Sequence, residues 1–343
     1  MRVAVVWNET GEIKPSEQLE SGCYREAVQS VLAALQESGH ETLLCEGDKG
    51  LLPTLDRFIP TDSRARPSGI VFNLAYGTQG ECRCMYVPAI LEMAGVPHTG
   101  PSPLGVGLAS DKVITKKLIR HRGVSTPNFL VMRRGTECTG DLRFPLVVKP
   151  RRESASLGLR LVHEPTQLRQ AVEAVVTQYR QDALVEEYID GREICVALLG
   201  NEELEVLPPL EHDFGDRETR LISWEDKKHM APAEPQKVCP AQIESELAAL
   251  LGDMATATFR ACLCRDYARV DFRVDRSGQP FVLEINYCPS LNNSHSYVRA
   301  ATTRGYSFPK VVNRILELAQ TRYFGVTALA AEHVPSPDQI CSP

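Results

Sequence analysis

Apolar and polar positions follow one another along this chain in two rhythms, short runs suited to strands and longer stretches with a helical period. Val3-Ala-Val-Val-Trp7 is a continuous apolar run of the buried-strand kind. After a polar loop, Ala27, Val31, Ala34 and Leu35 share one helical face, which predicts a helix over about 21–38 ended by Gly39. His40 to Cys45 and Gly69 to Leu74 read as strands, Val87 to Ala94 as a helix, and Val96-Pro-His-Thr99 as a short strand. This βαβ alternation predicts a parallel sheet with helices on both faces, an α/β lobe over about 1–108.

The pattern then changes. A helix from Asp111 to His121 leads into strands at Pro145 to Pro150, Leu159 to Val162 and Ala183 to Ile189, with a helix over about 166–180 between the last two. A further strand, Glu193 to Leu199, closes a central lobe placed at 109–200. Residues 201–326 form a C-terminal lobe, with helices expected at Gln242 to Cys262 and Pro309 to Tyr323, and 327–343 read as a tail. Residues 217–237 are polar, carry two prolines and clustered charges, and read as a long loop of the functional kind.

Chemistry concentrates late in the chain. Tyr267-Ala-Arg-Val-Asp-Phe-Arg-Val and Phe281-Val-Leu-Glu-Ile-Asn read as two strands joined by the turn Asp275-Arg-Ser-Gly278. Glu284 and Asn286 are two apart and so face one side of their strand. Together with Asp271 they offer three oxygen donors beside Arg269, a set suited to Mg²⁺ held along with phosphates. Four other segments are suggestive. Lys149 ends a Val-rich strand before the loop Arg151-Arg-Glu-Ser-Ala-Ser-Leu-Gly158, whose hydroxyls and backbone N–H groups could wrap a phosphate. Glu186 and Glu187, with Ile189 and Glu193, stand where a strand becomes a linker and could receive an adenine amine and ribose hydroxyls. Lys227-Lys228-His229 lies in the long polar loop and could close over a reacting phosphate. Pro289-Ser-Leu-Asn-Asn-Ser-His-Ser-Tyr297 follows the metal strand and suits a substrate carboxylate. Alone, each of the four reads more readily as an ordinary structural or solvated feature than as a site.

Composition narrows the class. At 343 residues, 43% hydrophobic and 24% charged, the chain has the makings of a soluble globular enzyme of two or three lobes. A net charge of −6 argues against a general nucleic-acid binder, although Lys112 to Arg122 is locally basic. The 11 cysteines form no disulfide framework and no zinc spacing, which points to reduced thiols and a cytoplasmic location. No apolar run is long enough to span a membrane and no signal peptide is expected.

The order of these pieces resembles the ATP-grasp superfamily, and within it the D-alanine–D-alanine ligase family. The resemblance rests on SDKVITK from Ser110, FPLVVKPRRESASLG, LVEEYIDGRE, CPA at Cys239, RVDFRV, LEINYCPSLNNSHS and FPKVVNRILELA, with VFNLAYGTQGE and LEMAGVPHTG in the first lobe. It implies an ATP-grasp fold, α/β in the first lobe and α+β in the C-terminal lobes, with ATP between the central and C-terminal sheets. By resemblance, Lys112 and Lys149 contact ATP phosphates, Glu186, Glu187 and Ile189 frame adenine, and Glu193 holds the ribose. Asp271, Glu284 and Asn286 bind two Mg²⁺ ions, for which Mn²⁺ could substitute. Arg269, Lys227 and Ser156 carry catalytic roles: at the acyl centre, at the γ-phosphate and in the phosphate-covering loop. The implied reaction is amide formation through an acyl phosphate, from amino-acid or amine substrates, by an enzyme that often dimerises.

The same resemblance marks departures at the amino-acid subsites. The family's Ser in the Ser/Gly loop corresponds to Ala155, its loop Tyr to Lys228 beside His229, and its Pro-Gly to Pro289-Ser290. Its first-lobe His-Gly is Tyr76-Gly77, and its N-terminal Glu corresponds to Glu17 or Glu20. Glu17, Tyr76, Lys228, His229, Ser290 and Ser296 are therefore the candidate substrate residues. Small changes of pocket polarity shift substrate preference strongly. The expectation is an amide-forming ligase whose substrates need not be two D-alanines. The alternatives are a true D-alanine–D-alanine ligase of cell-wall synthesis and a silent ATP-binding protein. A carboxylase is disfavoured because no biotin-attachment Met-Lys-Met occurs.

Overall fold

The computed structural model describes residues 1–8, 15–61, 67–222, 226 and 234–325, with side chains from residue 24 onward in the first helix. It is built on three sheets. In the first, β1 (Arg2–Trp7) lies between β2 (Glu41–Glu46) and β3 (Gly69–Asn73), all parallel. Alternation along β1 supplies both faces of this sheet. Val3, Val5 and Trp7 meet Val28, Val31 and Leu35 of α1 (Pro15–Glu37). Ala4 and Val6 meet Leu51 and Leu55 of α2 (Leu51–Phe58) and Val87 and Leu91 of α3 (Arg83–Met93). Two expectations need correcting here. Helix α1 begins at Pro15, so the segment around Glu17 and Glu20 is helical rather than a loop. The expected strand at Val96 to Thr99 contributes only one bridge, Val71 to His98.

Two helices, α4 (Pro103–Ser110) and α5 (Lys112–His121), lead to a second sheet of order β4-β7-β5-β6, wholly antiparallel. Its strands are β4 (Phe129–Met132), β5 (Leu146–Pro150), β6 (Arg160–Val162) and β7 (Ala183–Glu187). One face is covered by α6 (Pro165–Tyr179), whose Leu168, Ala171, Val172 and Val175 pack on Leu146, Val148 and Val185.

The third sheet runs β11-β10-β8-β12-β13, with β9 (Leu204–Val206) also on β8. Its long strands are β8 (Gly191–Gly200), β12 (Tyr267–Asp275) and β13 (Pro280–Asn286); β10 (Leu210–Asp213) and β11 (Gln236–Val238) form its edge. Strand β11 occupies the end of the segment read from sequence as loop. Ile194, Val196, Val270 and Phe272 turn toward α7 (Ser245–Ala261), burying Leu251, Ala255 and Phe259. On the opposite face, Ala197, Leu199 and Tyr267 join α8 (Ser296–Thr303) and α9 (Phe308–Phe324). Val311, Ile315 and Leu316 of α9 belong to the same core as Val28, Val31 and Leu35 of α1, so the first and third sheets share one apolar interior. Among the described residues, no helix is long and apolar enough to cross a membrane.

Candidate active site

Strands β12 and β13 pair with Arg269 opposite Asn286 and Asp271 opposite Glu284, and the register shifts immediately afterwards at a bulge. Directly opposed antiparallel residues share a face, so all four side chains leave the sheet together. Arg269 grips Asp271 through Nε at 2.6 Å and an Nη at 2.8 Å, and Asn286 Nδ2 donates to Asp271 at 2.9 Å. Burial opposes charge on Arg269, but the Asp271 carboxylate outweighs it and holds the guanidinium pKa well above its ordinary value.

The lysines arrive from the helix and sheet on the other side. Asp111 caps α5, accepting from Val113 N at 3.0 Å and Ile114 N at 3.1 Å, and so fixes Lys112 as the first helical residue. Lys112 Nζ lies 3.3 Å from Glu284 and also donates to the Glu153 carbonyl. The cap is braced by Arg151, whose Nε sits 2.7 and 2.6 Å from the two Asp111 oxygens. Lys149, at the end of β5, reaches Glu186 at 2.5 Å; Lys116, one turn beyond Lys112, reaches it at 2.8 Å. Burial alone would push the Glu186 carboxyl up, yet the two ammonium groups hold it below the ordinary value. Burial wins at Lys116, which falls to about 8 despite Glu186, while Glu186 and Glu284 overcome burial at Lys149 and raise it.

Beyond this cluster lies a cleft lined by Lys149, Glu186, Tyr188, Ile189, Leu221 and Leu283. Arg273 organises its far end. Nε donates to Ile189 O at 2.9 Å, one Nη to Arg220 O at 2.7 Å and Glu193 at 3.2 Å, and the other to Gly191 O at 3.2 Å and the Tyr188 hydroxyl at 3.3 Å. Glu187 borders the cleft, but its carboxylate accepts from Asn128 at 3.0 Å and Arg143 N at 3.1 Å, away from the lysines. The loop after β5 covers the cleft with Ser154 and Ser156. Its backbone is left-handed at Ala155 (φ 56°), Ser156 (φ 58°) and Gly158 (φ 69°). A Cβ at Gly158 would stand 2.7 Å from the Tyr179 ring, so that position requires glycine.

A second, larger cleft opens from the first across Lys112, Glu153, Asp271 and Glu284. Tyr24, Tyr76 and Arg83 form its first-lobe wall, and Arg269, Lys237, His212, Ser290 and Ser296 its third-sheet wall. The Tyr76 hydroxyl donates to Cys288 O at 2.6 Å, and Ser296 Oγ lies 3.3 Å from His212 Nε2. Arg83 meets Glu153 at 3.0 Å and Arg152 meets Glu81 at 2.5 Å, so two ion pairs join the first lobe to the covering loop. Partial burial, with Arg299 and Arg269 nearby, lowers the Lys237 pKa.

The structure thus brings together Lys112, Lys149, Glu186, Glu193, Ile189, Ser156, Arg269, Asp271, Glu284 and Asn286 around one pair of joined clefts. The side chain of Glu17 and all of Lys227, Lys228 and His229 lie outside the described residues. Sequence reasoning missed Arg273, Arg151, His212 and Lys237. Arg273 carried a usable signal, an arginine among apolar positions on the same strand face as Asp271 and Arg269.

A lysine-bearing sheet facing a carboxylate-bearing antiparallel sheet across a covered cleft is the architecture of an ATP-grasp ligase. The comparisons agree. Residues 118–317 match the family model described as D-ala D-ala ligase C-terminus. The D-alanine–D-alanine ligase of Syntrophotalea carbinolica is 32% identical over 297 residues, 85% of this chain and 90% of that protein. An uncharacterised protein of Sinorhizobium fredii is 62% identical over 335 residues, 95% of this chain and 98% of its own length. The fold superposes on the D-alanine–D-alanine ligase of Bacillus anthracis complexed with ATP with a TM-score of 0.73 at 22% identity, covering 94% of this chain and 98% of that one. The chain belongs to the D-alanine–D-alanine ligase family, as an ADP-forming ligase that makes carbon–nitrogen bonds.

Proposed function

We propose that this enzyme phosphorylates a carboxylate with ATP and passes the acyl group to an amine, and that its substrates are not two molecules of D-alanine. A carboxylate is a poor electrophile because oxide would have to leave. Transfer of the γ-phosphoryl group makes an acyl phosphate and ADP; the amine then attacks the acyl carbon, the C–O bond to phosphate breaks, and the amine proton is lost. Lys149 and Lys112 would hold the phosphates, Ile189 and the Glu186 region the adenine, and Glu193 the ribose. Ser156 would donate from the covering loop and Lys227 would approach the γ-phosphate. Arg269 would offset charge at the acyl oxygen.

Asp271, Glu284 and Asn286 fit one or two Mg²⁺ ions, or Mn²⁺ in their place. They are hard oxygen donors on one sheet face at the junction of the clefts, and the carboxylates are partly open, with side-chain exposures of 16% and 21%. Bound there, Mg²⁺ would neutralise charge on the transferring phosphoryl group. The observation that carries the ligase reading is this junction: Lys112, Asp271 and Glu284 line both clefts, so a phosphate in one would meet a carboxylate in the other.

The substrate reading rests on the larger cleft, which is lined by Ala155, Tyr76 and Ser290, the positions where the resemblance implies departures, and by His212 and Lys237. Phosphate release tests both. D-Alanine alone should support little turnover, and a mixed pair from a panel of amino acids and dipeptides should support more. Robust turnover with D-alanine alone would contradict the altered-substrate reading. ATP binding without ADP from any pair would overturn the ligase reading.

A further inference from the structure

One rung of the third sheet crosses four strands. Lys237 of β11 lies opposite His212 of β10, His212 opposite Glu193 of β8, and Glu193 opposite Arg273 of β12. Opposed residues share a face, with Cβ atoms roughly 4.5–5.5 Å apart, so these side chains form a row along the cleft wall. Arg273 answers the charge of Glu193 at 3.2 Å. His212 and Lys237, the other half of the row, both line the larger cleft. This half is braced by the start of α8 and the residues before it. Ser296 is 6% exposed and its Oγ contacts His212 at 3.3 Å, while Lys237 Nζ donates to Ser294 O at 2.9 Å. Glu234 lies near Lys237 and also lines the cleft, as does Asp226; against them stand Arg269 and, beside Lys237, Arg299.

We propose that His212 and Lys237 form a subsite for a second carboxylate on the amine-bearing substrate, so that the acceptor is an amino acid with an acidic side chain. The inference rests on the ligase reading and refines it. Ser296 and the backbone around it take the acceptor end of the larger cleft, and Arg269 faces the acyl centre. A side chain extending along the rung from that position reaches His212 and then Lys237. An anion there adds to the partial compensation that Glu234 already gives Lys237 against burial and the neighbouring arginines. A neutral amide of the same shape cannot, and it sets its own NH₂ against two donors. Sites built for one hydrogen-bonding pattern reject the mismatched isostere strongly.

The test uses the full-length enzyme with glutamate and aspartate against glutamine and asparagine as acceptors, over a panel of donor carboxylates. Wild-type kcat/KM should favour the acid over its amide by roughly 10- to 100-fold. Lys237→Met and His212→Leu should bring that ratio toward one, leaving KM for ATP unchanged. Binding is read in parallel as a thermal shift with ADP present: the acids should raise the melting temperature of the wild type but not of Lys237→Met. Equal use or equal binding of acid and amide by the wild type, or a preference that survives both substitutions, overturns the subsite. A complete lack of ADP formation alongside an acid-specific thermal shift would overturn the ligase reading and leave the subsite standing.

Discussion

The two joined clefts share ion pairs at their junction and differ away from it. In the cleft lined by Lys149 and Glu186, charges meet opposite charges directly: Lys149 and Lys116 meet Glu186, Lys112 meets Glu284, and Arg273 meets Glu193. The larger cleft shares the Lys112–Glu284 pair and adds Arg269 with Asp271 and Arg83 with Glu153, but along the rest of its wall Tyr76 and Lys237 donate to the carbonyls of Cys288 and Ser294, and Ser296 contacts His212. A buried ion network is hard to vary, because removing one member strands the others in a low-dielectric interior. Contacts to carbonyls and hydroxyls at a cleft wall can change one at a time. On the proposed function, the contrast gives a physical reason for phosphoryl chemistry to be kept while substrate walls vary.

The sharpest way to break the comparison is to remove a carboxylate at the junction. Glu284→Gln should lower ADP release by on the order of 10³-fold while the protein stays folded, since the loss is electrostatic stabilisation of the transferring phosphoryl group. Activity within tenfold of wild type would detach this residue from the chemistry.

Glu186→Gln addresses the network itself. It leaves Lys116 and Lys149 without their shared anion, at a cost of about 3–5 kcal/mol in unfolding free energy. The pH dependence has a definite sign. Because the folded pKa of Glu186 lies below its ordinary 4.5, its contribution is complete above that pH and fades as pH falls through the folded value. The stability gap between wild type and Glu186→Gln, measured by urea titration, should shrink in acid; a constant gap would refute the ionic account.

Arg273→Met should act on nucleotide binding, raising KM for ATP about tenfold with kcat within a few fold, because the guanidinium positions Ile189, Gly191 and Glu193. A fall in kcat with unchanged KM would place Arg273 elsewhere in the mechanism. The smallest effect belongs to the larger cleft. Tyr76→Phe removes one hydrogen bond to a carbonyl and should cost about 1 kcal/mol of stability, read as a modest fall in melting temperature. A larger loss would mean that this wall is as tightly coupled as the Lys149–Glu186 cleft.

Much of this was legible in the sequence where chemistry coincides with local period. The alternation around Asp271, Glu284 and Asn286 announced both strands and their common face, and the runs at Val3 and Gly69 announced a parallel sheet. What was not legible was convergence over distance. Nothing local says that Lys116 and Lys149 share Glu186, or that Arg151 braces the helix carrying Lys112; only the folded sheets bring them together. Short elements also escaped. Helix α2 has eight residues with an internal proline, and β10 and β11 are short and polar at the sheet edge. The edge strands carry His212 and Lys237, so the least legible part of the sheet bears the proposed acceptor subsite.

The central claim is that a donor carboxylate is activated as an acyl phosphate at the junction of the clefts. It is tested most directly by turnover of a donor with both carboxylate oxygens labelled with ¹⁸O. The account predicts ADP and inorganic phosphate carrying one labelled oxygen per turnover, with the other retained in the amide. Unlabelled phosphate, or label emerging in AMP, would contradict it.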